Sequence, residues 1–313
     1  MYGLFAVFWK ELADNFGSRR FLLLFILICL IGVFTAYLSS QAIMAKPEET
    51  PTEFLFLRLF TSYSRSLPSF VSFLSLFAPL LGIIFGFDAI NSEHSRGTIS
   101  LVLSQPLFRD SLINGKFLSG LATIALIFVS ILLIVLGLEL HMLGILPEGA
   151  ELSRLAVFFL MSVIYAGFYL SLGILFSVLF RRTTTSALTS IAVWFFFTFF
   201  LYMFANVIAD YVSPITKEVT EEVILKHTQV QNMIMRISPM TLYGETVNVV
   251  LNPSVRTLGL VFPAETRELI PTPLSLSQSL MIVWPQIVTL IALMLICFAI
   301  SYVVFMKQEI RSV

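Results

Sequence analysis

The residues best equipped for recognition stand in one polar run, Asp88-Ala-Ile-Asn-Ser-Glu93-His94-Ser-Arg96-Gly97-Thr98, followed by Leu101-Val-Leu-Ser-Gln-Pro106 and by Gly115-Lys116. Glu93 and Arg96 offer charge-assisted hydrogen bonds. Gly97 can end a turn, and Thr98 can cap the helix after it. This set suits docking rather than bond making.

Motifs for catalysis are missing. Gly115-Lys116 is followed by Phe117 and lacks the upstream glycine of a phosphate loop, so the chain is not expected to hydrolyse ATP. His-Glu-x-x-His and Gly-x-Ser-x-Gly are absent, and His94, His141 and His227 fall in three different segments, so neither a catalytic nor a metal site is expected. Glu221-Glu222 with Lys226 and His227 superficially resembles the Glu-Glu-x-x-x-Arg motif of CAAX-type intramembrane proteases. It carries Lys for Arg in a predicted water-exposed helix, which reads as a solvated face. Met233, Met235 and Met240 near His227 could be soft copper ligands, but they also fit a helix core.

The elements around the polar run are apolar to a degree no soluble domain reaches. Hydrophobic residues make up 58% of the 313, charged residues 12%, and phenylalanine alone counts 31; mean hydropathy is +0.93. The protein is therefore expected to be integral to a membrane. A net charge of zero gives no basic field for nucleic acid. Cys29 and Cys297 both lie in apolar runs and read as small buried hydrophobes.

A bilayer core of about 30 Å needs roughly 20 apolar helical residues. Such runs occur within Phe21–Ala45, Ser66–Phe87, Phe117–Leu138, Leu155–Phe180, Thr183–Ala209 and Leu280–Met306. Six spans put both termini on one side, and that side carries ten basic residues against six acids. The other carries nine against thirteen. The positive-inside rule makes the first side cytoplasmic, with Arg19-Arg20 and Arg181-Arg182 as the orienting pairs.

Residues 1–20 read as an amphipathic helix on the cytoplasmic surface, with Leu4, Phe5, Phe8, Leu12 and Phe16 in one stripe and Lys10, Glu11 and Asp14 away from it. No secretory cleavage pattern follows the first apolar run. Residues 21–209 hold spans 1 to 5 with the polar segment 88–116, residues 280–306 form span 6, and 307–313 are a cytoplasmic tail. Residues 210–279 are expected to form a helical extracytoplasmic cap, with one amphipathic helix through Val219, Val223, Val230, Met233 and Ile237 and a second through Leu242, Val247, Val250 and Leu251. The fold class is thus an all-α integral membrane protein.

The spans contain almost no ionisable residues, which argues against ion relays. Their polar exceptions include Thr185, Ser186, Thr189, Ser190 and Asn206, beside the aromatic run from Trp194 to Phe204. Such a surface suits an apolar or amphipathic cargo, or simply faces lipid. In span 2, Pro68, Pro79, Gly82 and Gly86 allow kinks or close helix approach.

The order Glu93, Arg96-Gly97-Thr98, Leu101 to Leu103, Pro106 and Gly115-Lys116 between spans 2 and 3 resembles the permease subunits of ABC-2 type transporters, among them drug-export and nitrous oxide reductase maturation permeases. Lys10-Glu11 followed by Arg19-Arg20 is similar to that family's connecting helix, to which Phe8 also belongs. The resemblance implies that Asp88 to Ser104, with His94 inside it, is a coupling helix seated in a separate ATP-binding subunit. It implies two such subunits carrying ATP and Mg, a second permease chain as a homodimer, and the plasma membrane of a prokaryote. It also implies a route along spans 2 and 5, where Pro79, Phe85, Thr189, Trp194 and Asn206 lie. An intramembrane enzyme of the protease type, or a membrane anchor or signalling component that moves nothing, are the competing readings.

Overall fold

The computed structural model describes residues 2–45, 54–61, 69–95, 108–144, 146–214, 221–256, 258 and 273–308, and every regular element among them is helical. The chain begins with α1, Tyr2–Gly17, and turns at Ser18 into α2, Arg19–Met44. Ser18 makes this elbow: its Oγ accepts from Phe21 N at 3.1 Å as the N-cap of α2 and donates to Asn15 O at 2.7 Å. Next come α3, Leu55–Thr61, α4, Phe70–Gly86, and the single turn α5, Asn91–Ser95.

The long helix α6, Arg109–Leu143, ends where Gly144 takes φ 68°, a left-handed C-cap that costs glycine nothing. In α7, Gly149–Leu179, the start is fixed by a reciprocal capping box between Glu148 and Glu151. Then follow α8, Thr183–Phe195, a π-helical turn over Phe196–Phe200, and α9, Leu201–Val212, which together make one rod. The remaining helices are α10, Glu221–Met235, α11, Pro239–Leu251, and α12, Leu276–Lys307. By length and composition six segments among the described residues can cross a membrane: Arg19–Gln41, Phe70–Glu93, Arg109–Leu143, Gly149–Leu179, Thr183–Val212 and Leu276–Lys307. The protein is a multi-pass, all-α membrane protein.

The centre of the bundle is α7, against which α4, α6, α11 and α12 pack. The approach of α4 is close because Gly82 and Gly86, one turn apart, have no side chain. A Cβ on Gly82 would fall 2.2 Å from Ala166 O, and one on Gly86 2.6 Å from Leu170 O.

The structure adds three details to these expectations. First, α6 begins at Arg109, so Gly115 and Lys116 stand inside a helix rather than before it. Second, α1 turns only part of its apolar stripe into the body. Val7 and Leu12 are buried, whereas Phe5, Trp9 and Phe16 are exposed and Glu11 points into the body.

Third, α10 and α11 exist as expected. They form a hairpin laid along the spans. His227 Nε2 meets Asp210 Oδ1 at 2.9 Å, Gln231 Nε2 donates to Asn206 Oδ1 at 2.6 Å, and Ser238 Oγ donates to Phe197 O at 3.1 Å. From Val212 to Phe197 that descent covers 15 residues, roughly 22 Å of helix. Returning, α11 stacks Tyr243 on Tyr165 at 4.5 Å and joins Tyr243 Oη to Ser162 Oγ at 2.8 Å, halfway along α7. Leu242, Tyr243, Thr246, Val247 and Val250 are all buried there. The returning stroke, α11, is buried against α7, whereas the descending contacts of α10 go to exposed or half-buried groups of the α8–α9 rod.

Candidate functional site

At the end of the bundle that holds α1, α5 and the C-terminus of α12, here the near end, a charged cluster forms around Lys116. Its side chain is only 6% exposed, and its Nζ lies 2.9 Å from Glu11 Oε1 and 3.3 Å from Glu93 Oε1. Three elements contribute: α1 supplies Glu11, α5 supplies Glu93, and α6 supplies the ammonium. An ammonium buried alone would be costly; two carboxylates offset that cost and fix where both helices sit.

Gly115 explains how α1 comes near enough. A Cβ there would fall 2.6 Å from Val7 Cγ1 and 2.9 Å from Val7 Cβ, so only glycine lets α1 lie on α6 at this height. Asn15 Nδ2 donates to Thr123 Oγ1 at 3.2 Å two turns further along.

A second pair links the elbow to the end of α4. Arg20 Nη1 contacts Asp88 Oδ2 at 2.5 Å, and the guanidinium carbon of Arg20 sits 5.3 Å above the Phe87 ring. The turn into α5 is held from α7: Ser177 Oγ accepts from Ile90 N at 2.8 Å and from Asn91 N at 3.1 Å. Between α1, α4, α5 and α6 lies a polar cavity of about 360 Å³, lined by Glu11, Asp14, Arg20, Asp88, Glu93 and Lys116 among others. Five helices are thus tied around the short α5.

Residues 5–310 match the family described as ABC-2 family transporter protein.

The chain belongs to that family.

Two relatives, each named as a probable ABC transporter permease protein NosY, align over 192 residues, 60% of this chain. The protein from Stutzerimonas stutzeri is 27% identical there and that from Pseudomonas aeruginosa 30%, and the match spans 64% of the length of each.

In this ABC-2 protein the expected site residues fall into three groups. Glu11, Glu93, Gly115 and Lys116 come together as described, with Phe85 and Lys10 on the cavity wall. Lys10 is 62% exposed and bridges Glu11 and Asp14, while Phe8 packs edge-on against Trp9 at 5.4 Å. His94 lies in α5, its side chain outside the described set; Arg96, Gly97, Thr98 and Pro106 lie outside the described residues.

The residues expected along a route stay apart. Pro79 is buried in α4, and Thr189 is half-buried, donating to Thr185 O at 2.8 Å. Trp194 stacks edgewise with Phe199 at 6.3 Å, and Asn206 is engaged by Gln231. The cavity beside Lys116 is lined by none of these four.

The opposite, far end of the ABC-2 chain holds a cluster that residue types alone did not single out. Arg154 is 2% exposed. Its Nη1 donates to Val250 O at 2.7 Å and to Ser279 Oγ at 3.2 Å, and its Nη2 donates to Leu274 O. One guanidinium therefore joins α7, the end of α11, and the start of α12. Below it Phe54, at φ 56°, presents its ring 5.7 Å from the guanidinium carbon. Glu151, one turn earlier, accepts from Phe56 N at 3.0 Å and from Glu148 N at 2.9 Å, which ties α3 to α7.

Proposed function

We propose that this chain is the membrane permease of an ATP-driven exporter, and that the near end is cytoplasmic, where a separate ATP-binding subunit docks on the Asp88 to Ser104 segment. The observation that carries this reading is the Lys116 clamp. Glu93, on the docking segment, is bonded to the ammonium that also holds Glu11 on α1, so a push on α5 is passed to α6 and to α1 together. The Ser177 bonds to Ile90 and Asn91 pass the same push to α7.

Two permease chains and two ATP-binding chains fit this mechanism. Closure of the ATPase pair would move α5, and α4, fused to α5 through the turn at residues 87–90, would tilt and switch access between the two sides. The long rod α8–α9 leaves Leu188, Ile191, Phe195, Phe199 and Met203 exposed, surface that lipid or a second copy would cover. The relatives' name as permease proteins supports the same role. Orientation follows from the basic surplus of short loops at the near end.

The test is co-purification of the full chain with its ATP-binding subunit, with ATPase rate read in vesicles. Glu93→Ala with Arg96→Ala is expected to abolish the association; full association with unchanged ATPase rate would overturn the docking assignment. Lys116→Met is expected to keep association but to cut the stimulation of ATPase by the permease several-fold.

A further inference from the structure

Glu139 is a buried carboxyl that the coupling mechanism does not use. On α6 it continues the stripe Ile124, Phe128, Ile131 and Val135, all buried, and it is itself 1% exposed. Neither Oε1 nor Oε2 has a hydrogen-bond partner among the described residues. It stands 23 residues beyond Lys116, roughly 35 Å along the helix and so one hydrocarbon thickness away. A carboxyl at that rim could reach water, yet this one is turned inward.

Among the described residues no neighbour offers it a cation. From α7, the ionisable group acting on it is Glu151, another carboxylate, whose oxygens are occupied by Phe56 N and Glu148 N. Arg154 of the same helix is spent on Val250 O, Leu274 O and Ser279 Oγ. Arg58 of α3 forms no ion pair with it among the described residues, its Nη1 being itself buried without a hydrogen-bond partner there, and His141 lies two residues on along α6 itself.

From α2 come hydroxyls. Gly32 lies against Ile131 and Val135, where a Cβ would be 3.2 Å and 3.7 Å from their Cγ2 atoms, so α2 and α6 run side by side in the same direction. Seven and eight residues on, Ser39 and Ser40 reach the height of Glu139, both buried, with Ser40 Oγ also lacking a partner.

An ionised carboxylate without donors in such a place would be far costlier than the neutral acid. We propose that Glu139 is a proton-binding site, loaded while the far ends of α2, α6 and α7 are packed together and emptied when they part and admit water. The packed state then holds one proton more than the open state. Alkaline conditions consequently favour opening and acid favours packing, and each opening of the far end releases a proton there. This holds whether or not α5 is the docking element, because it concerns the far end of the chain alone.

The test uses the purified full chain in lipid nanodiscs and dicyclohexylcarbodiimide, which attacks protonated carboxyls in apolar surroundings, with the adduct located by peptide mass spectrometry. The expected result is an adduct on Glu139 at neutral pH that fades as pH is raised. Glu139→Gln, a neutral isostere, is expected to fold, to lose the adduct and to flatten the alkaline limb of the unfolding midpoint against pH. Absence of an adduct on wild-type Glu139 at any pH would overturn the proposal. Protection of Glu139 by sodium at constant pH would also overturn it, because a metal cation would then be the occupant.

Discussion

Lys116 and Arg154 are both cations buried inside a helical bundle, and they are satisfied in opposite ways. Lys116 is held by two carboxylates from separate elements, α1 and α5. Arg154 is held by two backbone carbonyls and a hydroxyl, all neutral. An ammonium is a point charge with rotatable donors and can slide between Glu11 and Glu93; a planar guanidinium fork fits a fixed set of acceptors. The near end therefore joins parts that can move against one another while remaining paired. The far end welds α7, α11 and α12 into one body.

The sharpest way to break this contrast is Arg154→Met. It removes the fork and leaves the carbonyls of Val250 and Leu274 without a donor, at a cost of about 3–5 kcal/mol. The unfolding midpoint in detergent should drop by many degrees and do so equally at low and high salt. Arg154→Lys should recover little, since one ammonium cannot span the three acceptors. Full recovery by lysine would show that charge, not the fork, is what matters there.

Lys116→Met probes the other side of the comparison and should cost less, about 2 kcal/mol, because Glu11 and Glu93 lie near the surface and can be hydrated once released. Its signature is functional: α1 and α5 lose their common anchor. Cysteine cross-linking between the two elements should fall sharply, with the midpoint only modestly lowered. A variant that unfolds as severely as Arg154→Met would show the near node to be a weld as well.

Gly115→Ala is smaller again. Its Cβ would press on Val7, at about 1–2 kcal/mol, and Val7→Ala removes the nearer of the two atoms it meets there, Cγ1 at 2.6 Å, leaving Cβ at 2.9 Å. The double variant should therefore be more stable than Gly115→Ala alone, a non-additivity that thermal melts of the four proteins measure. Strict additivity would mean that α1 does not rest on α6 at this point.

Much of the near node was legible in the sequence because its residues break an apolar background. Glu93, Gly115 and Lys116 stand out by type, and Glu11 by its place in an amphipathic helix. Their pairing was not legible: Glu11 and Lys116 are 105 residues apart, and the apolar stripe of α1 through Phe5 and Phe16 pointed Glu11 the wrong way. Arg154 was harder still. It sits at the mouth of a span, where arginines commonly only orient a helix, and its acceptors are mostly backbone carbonyls, which no residue type announces. The α10–α11 hairpin had the right helices by periodicity, yet period alone does not say whether the apolar face meets water-borne partners or the spans. Its Ser238 and Thr246 carry hydroxyls that water could equally satisfy. In the fold Ser238 and Thr246 spend their hydroxyls on Phe197 O and Leu242 O instead.

That hairpin gives the smallest and most local of the tests. Ser238 ends the descent of α10 and starts α11, with its Oγ accepting from Met240 N at 3.2 Å as N-cap and donating to Phe197 O at 3.1 Å. The acceptor lies within the π-helical turn Phe196–Phe200, where wider winding upsets the regular i to i−4 pairing and leaves a carbonyl in need of an outside donor. Ser238→Ala loses both bonds, about 1 kcal/mol for the cap with a further fraction for the carbonyl. Ser238→Gly keeps much of the capping backbone preference but still strips Phe197 O of its donor, so the difference between the two variants separates cap from anchor. Hydrogen exchange should then rise across 196–201 in both variants and across 239–243 mainly in alanine. Unchanged exchange in the π-helical turn would mean that the hairpin tip does not hold α8 and α9, and the weld at the far end would stop short of the fifth span.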